Sequence, residues 1–256
     1  MARYFLECAY KGTRYSGFQV QENAVTVQAE VEKAFQTFQR TPVQLTGSSR
    51  TDAGVHALQN FFHFDFNDTI HPQAIYKMNA ILPDDIVIKN IIPMPGDAHS
   101  RFDAKSREYE YSIHRFKDPF LKDRSLYYPY KLDFGVMEEG ASFIKSQRNF
   151  FPFSKTNTQV KNFNSTIIKS HWLFNDQQIV YTIEANRFLR GMVRLITATL
   201  LKLGRRKLSL DDFKSLFQTN GKCGYSIPAQ GLCLKRVVYP EDYLPASLSV
   251  SQNFMK

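Results

Sequence analysis

Residues 46–65 read TGSSRTDAGVHALQNFFHFD. Two glycines, Gly47 and Gly54, bracket Ser-Ser-Arg-Thr-Asp-Ala, and shortly afterwards comes Phe61-Phe62-His63-Phe64. Glycine accepts backbone conformations that other residues avoid, so the first part reads as a sharp turn and the second as a strand. The pattern predicts strands over 43–46 and 60–66, with one carboxylate, Asp52, held in the turn between them. No Gly-Lys-Ser/Thr follows and no helix pattern begins at Gly54, which excludes a phosphate loop. Asp and Gly are ordinary turn formers. That accounts for Gly47, Asp52 and Gly54, but not for the particular string RTDAGVHA.

Outward from this turn, apolar alternation predicts strands over 3–10 and 85–92. Val27, Val31, Phe35 and Phe38 share one face of a helix over 27–38, and Pro72 opens a second helix running to 80. The order is β-α-β-β-α-β. The second half repeats it: a strand over 107–114, a helix over 134–145, strands over 166–174 and 179–184, a long helix over 186–203, an extra one over 210–217, and a strand over 232–239. Each half matches the split βαβ pattern, with helices on one face of an antiparallel sheet. The expected fold class is α+β. Two ferredoxin-like halves, 1–105 and 106–245, would form one extended, mainly antiparallel sheet with a central cleft, followed by a loose tail over 246–256. The segment 116–133, rich in Lys, Arg, Pro and Tyr, is expected as an exposed loop on the cleft rim.

Composition bounds the function. Of 256 residues, 43% are hydrophobic and 22% charged, the balance of a folded globular chain. No apolar run approaches the ~18 residues of a membrane span. Glu7 falls where a signal peptide would need its apolar core, so a cytoplasmic protein with no membrane partner is expected. Cys8, Cys223 and Cys233 are too few and too scattered for a disulfide framework or a zinc site, and the six histidines show no ligand spacing. No metal is expected. The net charge of +9 is uneven: residues 1–105 carry 10 Lys and Arg against 11 Asp and Glu, and the remainder 23 against 13. A neutral half joined to a basic half suggests a polyanion lying mainly against the second.

Two patterns in that second half face the same question. In the strand over 107–114, the period of two places Arg107, Tyr109, Tyr111 and Ile113 on one face. Tyr109 thus stands where its ring could meet a flat base, although core packing is the plainer reading of a tyrosine there. On the helix expected over 186–203, Arg187, Arg190 and Arg194 fall within an arc of about 60°, opposite an apolar face. None has an acidic partner at i±4, so the three are suited to an external anion. A carboxylate from the first half and the phosphates of a nucleic acid are both candidates.

The string Arg50-Thr51-Asp52-Ala53-Gly54-Val55-His56-Ala57 resembles the signature of the tRNA pseudouridine synthase A family. The similarity covers nearly the whole chain, through Tyr15-Ser16-Gly17-Phe18-Gln19, Asn79-Ala80-Ile81-Leu82-Pro83, His99-Ser100-Arg101-Phe102, Arg107-Glu108-Tyr109-Glu110-Tyr111 and Met192-Val193-Arg194. The resemblance implies a pseudouridine synthase fold, with Asp52 as catalytic aspartate, Tyr109 packing against the target uracil and Arg194 paired with the aspartate. It implies that Arg50 helps to turn the target nucleotide out. Arg187 and Arg190 are expected as further substrate contacts. It also implies a homodimer acting on tRNA at uridines 38, 39 and 40 of the anticodon stem-loop. The chain departs from the pattern at Phe18, where Trp is common, before Phe150, where Asn149 replaces an Asp, and at Thr197-Ala198, in place of Val-Gly.

The implied isomerase reaction breaks the uracil N1–ribose C1′ bond, rotates the base and rejoins it through C5. An ionised Asp52 is required as nucleophile, and a nearby guanidinium favours that charged form. Attack on uracil C6 and attack on ribose C1′ both fit the sequence. Tyr109 is the candidate base or relay for the C5 proton. No cofactor is needed, because uracil supplies the electrophile and nothing is oxidised. Two rivals are an RNA-binding protein of the same fold without catalysis and a carboxylate-based glycosidase. The latter normally uses a second carboxylate as acid, which no comparable turn offers.

Overall fold

Strand β1 (Ala2–Tyr10) forms the middle of the first half, antiparallel to both β3 (His56–Phe66) and β4 (Ile86–Met94). A computed structural model describes residues 1–155, 160–175, 178–219 and 221–245 of the chain; the tail expected over 246–256 lies outside the described residues. Helix α1 (Val27–Gln39) begins where the Thr26 hydroxyl accepts from the Ala29 N–H, an N-cap that pairs one of the free donors of the first turn. It buries Val27, Val31, Ala34 and Phe35, and the Phe35 ring meets Phe64 and Phe66 of β3 edge-on, with centroids 5.2 and 5.3 Å away. Helix α2 (Ala74–Ile81) packs against β4. It starts two residues beyond Pro72, because a tight turn held by the Ala74 N–H to His71 O bond comes first.

The second half is built around β5 (Ser106–His114), antiparallel to β8 (Gln178–Ala185) and β9 (Leu232–Val238), with β7 (Ile167–Phe174) outside β8. Helix α3 (Phe134–Lys145), capped by Asp133, and helix α4 (Met192–Gly204) cover one face, and α5 (Leu210–Ser215) packs against both. Tyr111, Ile113, Tyr181 and Ile183 are fully buried on that side. The segment 116–133 is not wholly a loop: β6 (Leu126–Tyr127) pairs in parallel with the end of β5.

The sheet runs β4-β1-β3-β9-β5-β8-β7, with the two-residue β2 (Thr46–Gly47) also on β3. The strands through β4 stand in the order β4-β1-β3-β2, and those of the second half in the order β9-β5-β8-β7, so both halves place their elements alike. They meet where β9 runs parallel to β3, through His56 opposite Cys233 and Ala57 opposite Leu234. This seam explains two departures from the sequence expectation. Strand β3 starts at His56 rather than 60, since its first residues pair with β9. Strand β2 is shorter than expected because it shares that edge of β3 with β9, pairing only at Phe62 and His63.

Helix α4 also differs from expectation. It begins at Met192, not at 186, because Gly191 adopts φ +73° and breaks the helical phase. A side chain is strained at that φ, and a Cβ there would meet Lys155 Cε at 3.0 Å. Arg187 and Arg190 therefore lie on an irregular segment ahead of the helix. Only Arg194 keeps its helical place, and the arginine arc drawn on a single wheel does not exist.

Candidate active site

The turn carrying Asp52 is fixed residue by residue, which accounts for most of the RTDAGVHA string. The Thr51 hydroxyl lies 2.8 Å from Tyr10 Oη, and Thr51 O accepts from the Phe18 N–H at 3.2 Å. Phe18 is buried in a stack on Phe62 with centroids 4.6 Å apart. The Val55 N–H donates to Asp52 O, and Gly54 takes φ +78°, closing the bend. His56 accepts at Nδ1 from the Gly12 N–H and, with the proton on Nε2, donates to Gln230 O; both distances are 3.0 Å. It thereby ties the turn to the approach of β9 across the seam. From the far side, Asn60 donates through Nδ2 to Ser49 O and to Tyr10 Oη, and accepts the Ser48 hydroxyl. A buried amide with all these partners holds the turn from beneath.

Asp52 projects from this frame with its side chain 17% exposed, and Arg190 Nε donates to its Oδ1 at 3.4 Å. The ion pair across the seam is thus made by Arg190, not by Arg194. With the helix starting only at Met192, Arg190 is free to swing toward the turn. Arg194, in the first turn of α4, donates through Nε to Ile227 O at 2.7 Å. Ile227 is buried, and the next residue, Pro228, accepts the Tyr111 hydroxyl at 2.8 Å. Arg194 consequently anchors the segment that closes over β5.

Tyr109 is buried on the helix-covered face, with Phe188 meeting its ring edge-on at 5.2 Å. Burial pushes its phenol well above the ordinary tyrosine range; Arg107 opposes this, while Asp52 adds to it. The Asp52 and Tyr109 side chains are therefore close enough for their charges to interact. The phenol stays protonated at neutral pH, which suits packing and hydrogen-bond donation and disfavours the role of base.

Positive charge surrounds the pair. Burial lowers the Arg101 pKa, and so do the cations of Arg50 and Arg187, which places the three guanidinium groups in one field. Arg101 and Arg107 are functional candidates to which the residue reading gave no role. Arg107 pairs with no carboxylate among the described residues. It donates through Nη1 to Ala104 O and Asn186 O, both at 3.1 Å, and through Nη2 to Ser48 O at 3.3 Å and Arg101 O at 2.6 Å. One guanidinium thus joins the approach to the Asp52 turn, the Arg101 loop and the start of the 186–191 segment. Only its place on the Tyr109 face of β5 could have marked it.

The Arg101 loop has a second anchor. His63 Nδ1 lies 2.9 Å from Ser100 Oγ and accepts from the Ser100 N–H at 3.3 Å, and the Ser100 hydroxyl donates to Thr46 O. Burial, helped by His99 and Arg3, holds the imidazole down at about 4. The folded value lies below the ordinary 6.5, so the neutral form is the one that belongs to the fold. The stability it contributes is complete above pH 6.5 and is lost as pH falls through about 4. Urea unfolding between these pH values should show a fall of up to about 3 kcal/mol, and His63→Asn should flatten that dependence. An unchanged slope in the variant would remove His63 from the account.

A carboxylate on a braced turn, a buried phenol close to it, and Arg50, Arg101, Arg107 and Arg187, which make no ion pair among the described residues, form a candidate enzyme site suited to an anionic substrate at the seam of two similar halves. The chain matches the family model described as tRNA pseudouridine synthase over residues 8–103 and 147–240. It is 46% identical to tRNA pseudouridine synthase A of Porphyromonas gingivalis, over 94% of this chain and 99% of that one. The protein of the same name from Parabacteroides distasonis is 41% identical over 96% and 99%, and that of Clostridium acetobutylicum 37% over 91% and 98%. The chain belongs to the tRNA pseudouridine synthase family.

Proposed function

We propose that the protein isomerises uridine to pseudouridine in the anticodon stem-loop of tRNA, at positions 38, 39 and 40, as a cytoplasmic homodimer with Asp52 as nucleophile. The observation that carries the chemistry is the Asp52 carboxylate held on a turn braced by Thr51, His56 and Asn60, close enough to the buried Tyr109 phenol for their charges to interact. The tRNA positions and the dimer rest on the family resemblance alone. No helix among the described residues is long and apolar enough to cross a membrane.

As nucleophile on ribose C1′, an Asp52 carboxylate oxygen bonds C1′ while N1 leaves with the bonding pair; attack on uracil C6 is the other route open to it. The uracil anion rotates, C5 bonds to C1′ and expels the carboxylate, and the C5 proton leaves. Tyr109 packs on the base and donates a hydrogen bond, because a phenol held protonated cannot collect that proton itself; a water or a released carboxylate takes it. Turning the base out of its stack costs a few kcal/mol, which phosphate contacts from Arg50, Arg101 and Arg187 offset. Arg194 makes no pair with Asp52 here and acts instead from its anchored place on α4, holding the Ile227 segment and supplying a fixed positive charge.

Incubating the protein with unmodified tRNA, no cofactor added, and mapping pseudouridine should locate the product at 38–40. Modification confined to another stem would overturn the positional reading, and no modification would favour the binding-only rival.

A further inference from the structure

Beyond the turn that carries Asp52, a groove of about 290 Å³ opens at the end of the β7–β8 pair. Arg148, Arg187, Asn164, Ser165, Thr166 and Asn186 are among its lining residues, and no carboxylate is. Neither arginine makes an ion pair among the described residues. Ser165 is 2% exposed, and its Oγ is buried without a hydrogen-bond partner. A buried hydroxyl left unpaired is costly, and most such groups in proteins find a partner. The backbone around it is already committed: the Ser165 N–H donates to Arg148 O at 2.9 Å, and the Thr166 N–H to Asn186 Oδ1 at 2.9 Å. Asn186, whose Oδ1 takes that bond, still carries its two amide donors.

The groove therefore presents two guanidinium groups and amide donors, with the unsatisfied hydroxyl of the lining residue Ser165 buried at its wall, a set that matches the non-bridging oxygens of a phosphodiester once that hydroxyl turns outward. It is also joined mechanically to the active centre. Asn186 O accepts from Arg107, which holds Ser48 and Arg101 through the same guanidinium. Arg187 shares the field of Arg101 and Arg50 beside the Asp52 turn. We infer that this groove is a phosphate-binding subsite that grips the RNA backbone away from the target nucleotide, with Arg148 and Ser165 as its outer contacts. The inference rests on RNA being the substrate. It adds a contact at fixed distance from Asp52, so that a nucleotide is selected by its spacing from a gripped phosphate as well as by its base.

The test uses Asp52→Asn protein as the background for binding, so that affinity is read without turnover. Equilibrium binding of unmodified tRNA is measured across a salt series. Arg148→Ala should weaken binding about tenfold and reduce the slope of log K against log salt by about 0.7–0.9, the loss of one phosphate contact. In otherwise wild-type protein, Arg148→Ala should raise KM by a similar factor with kcat unchanged, and Arg148→Lys should recover most of the slope. Ser165→Ala should weaken RNA binding about tenfold, the scale of a hydrogen bond to a charged group. The same change should leave the melting temperature of the free protein equal or higher, since it deletes an unpaired buried hydroxyl. Unchanged affinity and slope in both variants would overturn the subsite. So would millimolar inorganic phosphate competing with tRNA equally in wild type and Arg148→Ala. Failure of the wild-type protein to form pseudouridine would count against the proposed function alone, because the salt slopes are read without catalysis.

Discussion

Asp52→Asn is expected to lower pseudouridine formation at least about 10⁴-fold, the scale on which enzymes respond to loss of a nucleophile. The amide keeps the size and shape of the carboxylate but cannot carry its charge. Nothing that builds the turn depends on that charge. Asp52 contributes its carbonyl to the Val55 N–H, while Thr51, His56 and Asn60 hold the remaining backbone. The lost ion pair is with an arginine 70% exposed, and such pairs contribute about 0–1 kcal/mol. Thermal unfolding should therefore move by no more than a few degrees. Affinity for tRNA should hold or improve, since a negative charge facing phosphates has been removed. Activity lost with binding and fold intact separates a nucleophile from a turn former and the synthase from its binding-only rival. Comparable product from both proteins would end the nucleophile assignment.

The parts of this site that were legible in the sequence are those with local causes. Alternation and the Gly47–Gly54 bracket located the turn and its flanking strands, because strand period and turn chemistry act over a few residues. The face of β5 carrying Tyr109, Tyr111 and Ile113 followed from the same period. What the sequence concealed depends on distant partners. Strand β2 is short because β9, nearly two hundred residues later, takes part of the β3 edge. Helix α4 starts late because Gly191 adopts a conformation that glycine permits but does not require. A helical wheel has no means of registering such a break, so Arg187, Arg190 and Arg194 fell into one arc that the backbone dissolves. The role of Arg107 was hidden for a related reason: its four acceptors are backbone carbonyls from separate segments, and carbonyls leave no mark in composition. His56 was visible within the signature, but its partners, Gly12 and Gln230, lie 44 and 174 residues away.

The division of labour between the two arginines near the site gives the second large effect. Arg190 touches Asp52, yet it is exposed and the contact is long at 3.4 Å, so Arg190→Ala should cost about fivefold in kcat/KM or less. Arg194→Ala should cost about a hundredfold, although Arg194 makes no ion pair with Asp52 in this structure. Removing it takes the close donor from the Ile227 carbonyl and leaves only the Ser226 hydroxyl at 3.5 Å, a loss of about 1–3 kcal/mol, and does so where Pro228 receives the Tyr111 hydroxyl. It also deletes a partly buried cation held in a fixed direction. A preorganised charge is worth more to a reaction than a mobile one at the surface. Arg194→Lys should recover little, because an ammonium cannot bond Ile227 O while presenting a planar fork beyond it. Melting curves for both alanine variants distinguish the terms: the Arg194 protein should unfold several degrees earlier and the Arg190 protein at the wild-type temperature. If Arg190→Ala proves the more damaging to turnover, the ion pair seen at Asp52 is the catalytic one and Arg194 is a fastener only.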